Sequence, residues 1–441
     1  MFLVPSPFNL TPIQLVRVFV GTCGFIAMEI ILLRRTHLTL SIGLSVLLTF
    51  NASAITQNTA EAPIASAEEA KIRHWREPSI ERTFWDITEL PHAFVDFAPA
   101  ALPDGIAVGQ LTPKRQQALK QLAEEIEKKQ HTEVDSLLIA HQGKLVFESY
   151  YSRGRINLSH PQSSTTKSYT ALAVGRAIQL GYLSMDDLHR PVTELISGLD
   201  HSTFALGIER LTLHQLLSMS SGINIAPEKM QRYRDSPQDY EGKKLIQAYF
   251  SDTDEIAIAD QTFNYLGANP DIVMQVLDSQ VPGSAEAFIK HELFDKLGIE
   301  NFDWRLRSQG IPSAGSGSSM TSRNMMKIGR LVADGGIWQG EQFIPKAFVA
   351  NAITRHSPIT DEQASGFYSG DKLSNSDYGY FWWQVDMAVG QQTFTSHSAQ
   401  GGGGVTILLV EELELVIVVT AHSEQAFLQL IAERILPLFV E

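Results

Sequence analysis

The chain has 441 residues, of which 44% are hydrophobic and 19% are charged. This composition is typical of a globular protein, and the length allows about two or three domains. The formal net charge of −14 repels nucleic-acid phosphates, so we expect no nucleic-acid partner. Cys23 is the single cysteine, which excludes an internal disulfide and leaves the redox compartment undecided.

The first 54 residues have the features of a secretory signal peptide. A pair of arginines precedes the apolar stretch Leu38–Phe50, and an Ala-x-Ala cleavage motif ends at Ala54. We therefore predict that translation starts at Met28, that cleavage follows Ala54, and that the mature protein is periplasmic or secreted. The alternative is an uncleaved segment that anchors the protein at a membrane.

Residues 55–110 are predicted to be a tether and a lead-in, with regular structure beginning at Thr112. Thr112 is a helix N-cap residue and a proline follows it, so a helix is expected from there to about Gln130. The next two apolar runs, Ser136–His141 and Lys144–Tyr151, are separated by Gln-Gly, which predicts a hairpin.

The pattern from Thr166 to Leu297 is mostly helical. Three strands are predicted after it, followed by a last helix from Ser423; the strands are Gln392–Ser398, Val405–Val410 and Leu415–Ala421. Strands at both ends of the chain and helices between them predict a mainly antiparallel sheet flanked by helices. The fold class is therefore α/β plus all-α, with an inserted helical domain at about residues 176–304.

Two Ser-x-x-Lys motifs occur, one at Ser164 and Lys167 and one at Ser369 and Lys372. Residues three apart on a helix are neighbours, and a helix is predicted after Ser164. The helix amino terminus favours a developing negative charge, and a nearby lysine can activate a serine. The second motif lies in a Gly/Ser/Asp stretch, which indicates a solvated loop. On its own, the first motif would also fit a helix-capping serine beside an exposed lysine.

Several stretches in a fixed order decide between these interpretations. They are Ser136–Tyr150, Ser164–Ser168, Met185–Val192, Leu211–Gly222, Gly315–Asn324 and Tyr378–Trp383. The fourth resembles the segment T-x-x-x-L-L-x-M-x-S-G. Together the stretches resemble the serine β-lactamase and penicillin-binding protein superfamily, in its class C-related part. The later ones are most similar to the branch of esterases and 6-aminohexanoate-dimer hydrolases.

The resemblance implies a β-lactamase/transpeptidase-like fold, with residues 111–441 as the catalytic domain and Ser164 as the nucleophile. The family's second motif, Tyr-x-Asn, corresponds here to Tyr265, which would act with Lys167 in proton transfer. Gly267 stands where asparagine is common. Asn269 is the alternative source of that amide, or it only caps a turn.

The family's third motif, Lys-Thr-Gly or His-Thr-Gly, has its nearest match at His397, Ser398 and Ala399. A cation there would bind a substrate carboxylate or ease proton transfer. A backbone N–H at Ala399 or Gln400 would be the second oxyanion donor, beside that of Ser164. The other interpretation of His397 is an ordinary strand histidine.

Other hydrolase chemistries lack their motifs in this sequence. G-x-S-x-G and H-E-x-x-H are both absent, and the 13 histidines are scattered without ligand spacing. We expect no metal and no cofactor. The resemblance implies acyl-enzyme hydrolysis of a small amide or ester, with β-lactams and D-amino-acid peptides as further family substrates. The alternative is a catalytically inactive binding or scaffold protein of the same fold.

Overall fold

A computed structural model describes residues 61–72, 83–131, 133–307, 310–423 and 427–440. The predicted signal peptide and the predicted cleavage site after Ala54 lie outside the described residues. Among the helices of the described segments, none combines the length and the apolar composition that crossing a membrane requires.

The described residues form fourteen strands. They are β1 (Phe94–Asp96), β2 (Glu133–His141), β3 (Lys144–Tyr150), β4 (His160–Pro161), β5 (Phe302–Trp304), β6 (Ser318–Met320), β7 (Ile337–Trp338), β8 (Glu341–Gln342), β9 (Ser357–Pro358), β10 (Leu373–Tyr378), β11 (Trp383–Val389), β12 (Gln392–Gly401), β13 (Val405–Val410) and β14 (Leu415–His422).

The same part of the chain forms twelve α-helices. They are α1 (Pro113–Glu127), α2 (Thr166–Gln179), α3 (Val192–Leu195), α4 (Leu213–Leu217), α5 (Pro227–Asp235), α6 (Lys243–Asp252), α7 (Ala268–Gln280), α8 (Ala285–Phe288), α9 (Ser322–Ala333), α10 (Lys346–Ala352), α11 (Asp361–Ser365) and α12 (Leu428–Leu430). Two π-helical turns, Ile289–Phe294 and Ile431–Ile435, extend α8 and α12.

The main sheet has nine antiparallel strands in the order β1-β3-β2-β14-β13-β12-β11-β10-β9. Strand β14, near the carboxyl end, pairs directly with β2, so that Ile417 lies opposite Ile139. Both ends of the chain therefore build one sheet, as the sequence predicted. A smaller sheet, in the order β4-β6-β5, carries the segment that leads into α2.

The predicted hairpin is present as β2 and β3. Its two turn residues, Gln142 and Gly143, have φ values of 50° and 78°. Positive φ at both central residues is the mark of a type I′ turn, whose twist matches that of the flanking strands.

Helices cover the main sheet on both faces. On one face, Gly329 of α9 lies so close to the sheet that an added Cβ would be 2.5 Å from Val416. The neighbouring residue Leu415 points to the other face and pairs with His141. The ring of His141 contacts Phe439 at 4.9 Å between centroids, which places the carboxyl end of the chain on that second face.

Two expectations about element boundaries were wrong. Regular structure begins before Thr112, because β1 pairs with β3 at the sheet edge. Ser423 does not belong to the last helix, because its backbone N–H donates to Gly403 and continues the sheet contact; the helix described after it is α12, Leu428–Leu430.

The middle of the chain is helical as predicted. Between Thr166 and the start of β5, the described residues form the helices α2–α8 and short 3₁₀ and π turns, and they form no strand. Residues 59–441 form one compact unit, so the domain boundaries proposed near residues 176 and 304 stay predictions.

Candidate active site

Ser164 lies in the short 3₁₀ turn Ser163–Thr165, which leads directly into α2. The turn is strained, because Ser163 has φ 47°, a value that non-glycine residues rarely adopt. Such strain is concentrated at functional sites, where the surrounding structure holds it in place. Here it turns the chain sharply into the helix at Ser164.

Lys167 is the buried partner of this serine. Its Nζ lies 3.0 Å from the Oγ of Ser164, and it donates to the carbonyl oxygen of Gly315 at 2.7 Å. The residue is only 5% exposed. The carbonyl fixes the direction of the amine, so the nitrogen faces the hydroxyl from which a proton must leave.

Tyr265 closes the same site from the loop before α7. Its ring centroid lies 4.8 Å from Nζ of Lys167. Trp383 stacks on the ring at 5.6 Å between centroids, and Phe367 meets it edge-on at 5.1 Å. The tyrosine is thus held in an aromatic cluster beside the lysine.

The two candidates for the second-motif amide lie in different environments. Asn269 is fully buried, and its Nδ2 donates to the sulfur of Met219 at 3.1 Å. Gly267 is exposed, and an added Cβ there would meet no atom within 4 Å. Asn269 is therefore a core residue, and no side chain supplies an amide at the Gly267 position.

The carboxyl-terminal part of β12 borders the nucleophile turn. Strand β11 pairs with β12 only as far as Ser398, so Ala399 and Gln400 lie on a stretch of edge that extends beyond β11. An added Cβ on Gly401 would be 2.2 Å from the carbonyl oxygen of Gln162. The glycine therefore allows the strand to approach the backbone immediately before Ser164.

The polar side chains of this stretch contact one another. Gln400 donates from Nε2 to the Oγ of Ser398 at 2.9 Å, and both residues are at least nine-tenths buried. Because side chains alternate along a strand, this pair shares one face of the sheet. His397, Ala399 and Gly401 share the other.

His397 is 8% exposed, and its charged neighbours are Arg355 and Asp386. Burial lowers its pKa from an ordinary value near 6.5 to about 4, helped by Arg355 and opposed by Asp386. Its Nε2 lies 3.8 Å from a carboxylate oxygen of Glu411. The imidazole is therefore mostly neutral at pH 7.

Asp271 is a charged neighbour of this site that the sequence analysis missed. Its carboxylate pairs with Arg307 at 2.9 Å and accepts from the Tyr249 hydroxyl at 3.0 Å. Burial raises the pKa of Asp271, whereas Arg307, Tyr249 and Lys167 act to lower it. An aspartate among the apolar residues in the first turns of α7 was the feature of the sequence that could have indicated this residue.

The second Ser-x-x-Lys motif lies in the loop between α11 and β10, as predicted. Lys372 pairs with the neighbouring Asp371 at 3.5 Å, and 42% of its side chain is exposed. The motif has neither the buried lysine nor the following helix that Ser164 has.

Comparisons with known proteins agree with this architecture. The chain is 24% identical to the 6-aminohexanoate-dimer hydrolase of Paenarthrobacter ureafaciens over 348 residues, which are 76% of this chain and 84% of that protein. A family VIII carboxylesterase superposes with a TM-score of 0.54 at 14% identity, covering 74% of this chain and 94% of its own. A class C β-lactamase superposes with a TM-score of 0.51 at 13% identity, and the match covers 73% of this chain and 94% of the β-lactamase chain.

The Beta-lactamase family model matches residues 119–436, which include the nucleophile turn, α7 and the edge of β12. The fold is that of β-lactamases and transpeptidases, and the relatives belong to the serine β-lactamase and penicillin-binding protein superfamily. The chain belongs to the Beta-lactamase family.

Proposed function

We propose that this protein is a serine hydrolase that cleaves amide or ester substrates through an acyl-enzyme formed on Ser164. The observation that carries the proposal is the 3.0 Å contact between Nζ of Lys167 and Oγ of Ser164. A nucleophile and its base must lie within hydrogen-bond reach, and this pair does so in a mostly buried setting.

In the proposed reaction, Ser164 attacks the substrate carbonyl while its proton passes to the unprotonated amine of Lys167. In the neutral amine, one N–H donates to the carbonyl oxygen of Gly315, and the single lone pair of the nitrogen can face the Ser164 hydroxyl. We assign Tyr265 as the second group in the proton path because it matches the family's second motif, and its ring centroid lies 4.8 Å from the same nitrogen. The proton then reaches the leaving group, and water releases the acyl group.

The negative oxygen of the tetrahedral intermediate needs backbone N–H donors. We assign one donor to Ser164 and the other to the edge of β12 at Ala399 or Gln400, where β11 no longer pairs with the strand. The close contact of Gly401 with Gln162 supports this arrangement, because it holds that edge beside the nucleophile turn.

The substrate class is inferred from the relatives and from the third motif. The curated relative hydrolyses 6-aminohexanoate dimers by name, and one structural neighbour is a carboxylesterase. His397 is mostly neutral at pH 7, so a strong cationic site for a β-lactam carboxylate is not provided there. We therefore favour linear amides and esters over β-lactams.

The alternative of an inactive binding protein gains no support from the family or these relatives. Ser164 and Lys167 also remain in direct contact, as a working nucleophile requires. A catalytically inactive scaffold would have no need to keep this buried lysine directed at the serine.

The proposal is tested with a p-nitrophenyl ester and a linear amide of 6-aminohexanoate. Ser164→Ala should abolish hydrolysis, with a loss on the order of 10⁶ in kcat, while thermal unfolding stays unchanged. Ser369→Ala is the matched control and should keep full activity. Intact-mass analysis after a fluorophosphonate probe should show one adduct, absent from Ser164→Ala. Undiminished hydrolysis by Ser164→Ala would contradict the proposal.

We also propose that the protein acts in the periplasm or outside the cell. This rests on the basic, apolar and Ala-x-Ala segments that end at Ala54. Amino-terminal sequencing of protein from its native host should give Ile55 as the first residue. Recovery of residues upstream of Arg34 would contradict cleavage and would favour the anchored alternative.

A further inference from the structure

A second cluster of chemically active side chains lies outside the proposed active site. The cluster consists of Asp135 near the start of β2, His160 in β4 and His422 at the end of β14, and each offers one possible ligand atom for a metal. These three atoms all lie within 4.8 Å of one another. The mechanism above uses none of the three residues.

The distances within the cluster suit a shared metal ion. Nε2 of His160 lies 3.2 Å from Oδ2 of Asp135, and Nδ1 of His422 lies 2.7 Å from the same oxygen. Two ligands that bind one zinc ion at about 2.0–2.1 Å in tetrahedral geometry are roughly 3.3 Å apart. Small shifts would bring both pairs to that separation.

Two of the three ligand residues, His160 and Asp135, also have a polar contact on the side away from the cluster. Nδ1 of His160 lies 2.9 Å from the carbonyl oxygen of Pro161, which leaves Nε2 directed at Asp135. Oδ1 of Asp135 accepts from the backbone N–H of Arg153 at 3.0 Å, which leaves Oδ2 for the histidines. Metal-binding histidines and carboxylates typically have such outer contacts, because these fix the tautomer and the direction of the lone pair.

The site is buried and has space for a further ligand. Asp135 and His160 are 1% and 4% exposed. Beside them lies a small cavity with room for about one water molecule, lined also by Ser322 and Thr420. Two imidazoles, one carboxylate and one water make the four-ligand set that zinc accepts.

We propose that Asp135, His160 and His422 form a binding site for a divalent transition metal of the zinc type. Imidazole nitrogens with one carboxylate suit zinc and its first-row neighbours, whereas magnesium and calcium prefer oxygen ligands. The three residues are 25 and 262 positions apart, which is why no metal-ligand spacing is visible in the sequence.

The position of the site gives the metal a structural role. His160 lies four residues before Ser164, in the segment that leads to the nucleophile. His422 precedes Ser423, whose backbone N–H donates to Gly403 in the turn after β12. A bound ion would therefore join the nucleophile segment to the strand that carries the proposed oxyanion donor.

The experiment measures zinc binding to the full chain, purified without a polyhistidine tag and stripped with a chelator. Calorimetry should show one Zn²⁺ per chain with a Kd tighter than about 1 µM. Zn²⁺ should also raise the unfolding temperature by a few degrees, because it binds only the folded state. Mg²⁺ should do neither. Bound Co²⁺ should give the intense visible absorption of a four-coordinate site.

Two variants and one control assign the site. His160→Gln and His422→Asn should each weaken Zn²⁺ binding at least about tenfold and remove the thermal shift. His291→Asn should retain both, because it replaces an exposed histidine that pairs with Asp295 outside the cluster. Failure of the wild-type protein to bind Zn²⁺ would overturn the proposal, whatever the variants do. So would equal binding by wild type and both cluster variants, because the zinc would then lie elsewhere.

Discussion

Gly401 faces Gln162 so closely that a Cβ atom on the glycine would lie 2.2 Å from the carbonyl oxygen of Gln162. Real Cβ atoms do not approach carbonyl oxygens to that distance, so the backbone would have to move. Gln162 is two residues before Ser164. The contact therefore couples the position of β12 to that of the nucleophile turn.

Gly401→Ala should separate this strand from the nucleophile turn. We expect a destabilisation of about 1–3 kcal/mol from overpacking and a fall of about 10²-fold in kcat/KM from the displaced oxyanion donor. Thermal unfolding and p-nitrophenyl ester kinetics measure the two effects.

Gly402→Ala is the matched control, because its added Cβ would meet only the Ser163 hydroxyl at 4.0 Å. It should keep most of the activity. Equal losses in the two variants would show that the glycines matter for flexibility and not for the close approach at Gly401.

The proton path predicts coupled effects of Lys167 and Tyr265. Lys167→Ala and Tyr265→Phe should each slow acylation severely, because both groups handle the proton from Ser164. The double variant should lose much less than the product of the two single losses. Single-turnover kinetics with an ester substrate measures acylation in all three variants. Losses that simply multiply would mean that the two residues act independently.

The strands of the sheet were predictable where their burial requires a continuous run of apolar residues. Strands β2, β3, β13 and β14 are apolar runs bounded by turn residues. Gln142-Gly143 sets the pairing of β2 with β3 next to the turn, as far as the register shift between Ile139 and Ala140. Strand β10 was not predicted, because it lies near the sheet edge. Its polar residues Ser374 and Asn375 are exposed, so no apolar pattern marks it.

The nucleophile was predictable because Ser164 and Lys167 are neighbours along one helical turn. The surroundings of the site were not, because they depend on packing between distant segments. The pairing of Arg307 with Asp271 and the contact of Gly401 with Gln162 bring together residues far apart in the chain. The burial that neutralises His397 likewise arises only when the strands pair.

Gly267 offers a test of the altered second motif. Gly267→Asn should fold normally, because the site is exposed and an added side chain meets no atom within 4 Å. The new amide can hydrogen-bond a substrate amide, so kcat/KM for a 6-aminohexanoate amide should rise several-fold, by roughly the effect of one hydrogen bond. The rate with a p-nitrophenyl acetate ester should stay unchanged. Steady-state kinetics on both substrates gives the comparison.

Gly267→Ala distinguishes the effect of the added amide group from the effect of reduced backbone freedom at this position. Alanine restricts the unfolded chain in a similar way to asparagine but adds no hydrogen-bonding group. If Gly267→Ala and Gly267→Asn raise the amide rate equally, the position has no amide-binding role.

His397 predicts how stability depends on pH. Its pKa is about 4 in the folded protein and near 6.5 when unfolded, so between these values the unfolded chain binds the additional proton. The folded state is therefore most stable above pH 6.5, where His397 is neutral in both states, and it loses stability as the pH falls towards 4. At pH 5 the loss from this residue is roughly 2 kcal/mol. Urea unfolding at pH 7 and pH 5 measures it.

His397→Asn should reduce the difference in unfolding free energy between pH 7 and pH 5, whatever its effect on stability at pH 7. The exposed His291→Asn should leave the difference unchanged. Part of the pH dependence should remain in His397→Asn, because burial, with His356 and His189, also lowers the pKa of His214 to about 4.

An unchanged pH difference in His397→Asn would mean that the imidazole titrates near its ordinary value. A cationic His397 could then bind a substrate carboxylate at mildly acidic pH, and kcat/KM for carboxylated substrates would rise as the pH falls through 6.5. With a pKa of about 4 that rise is absent above pH 5, and neutral esters and carboxylated substrates should share one pH profile there.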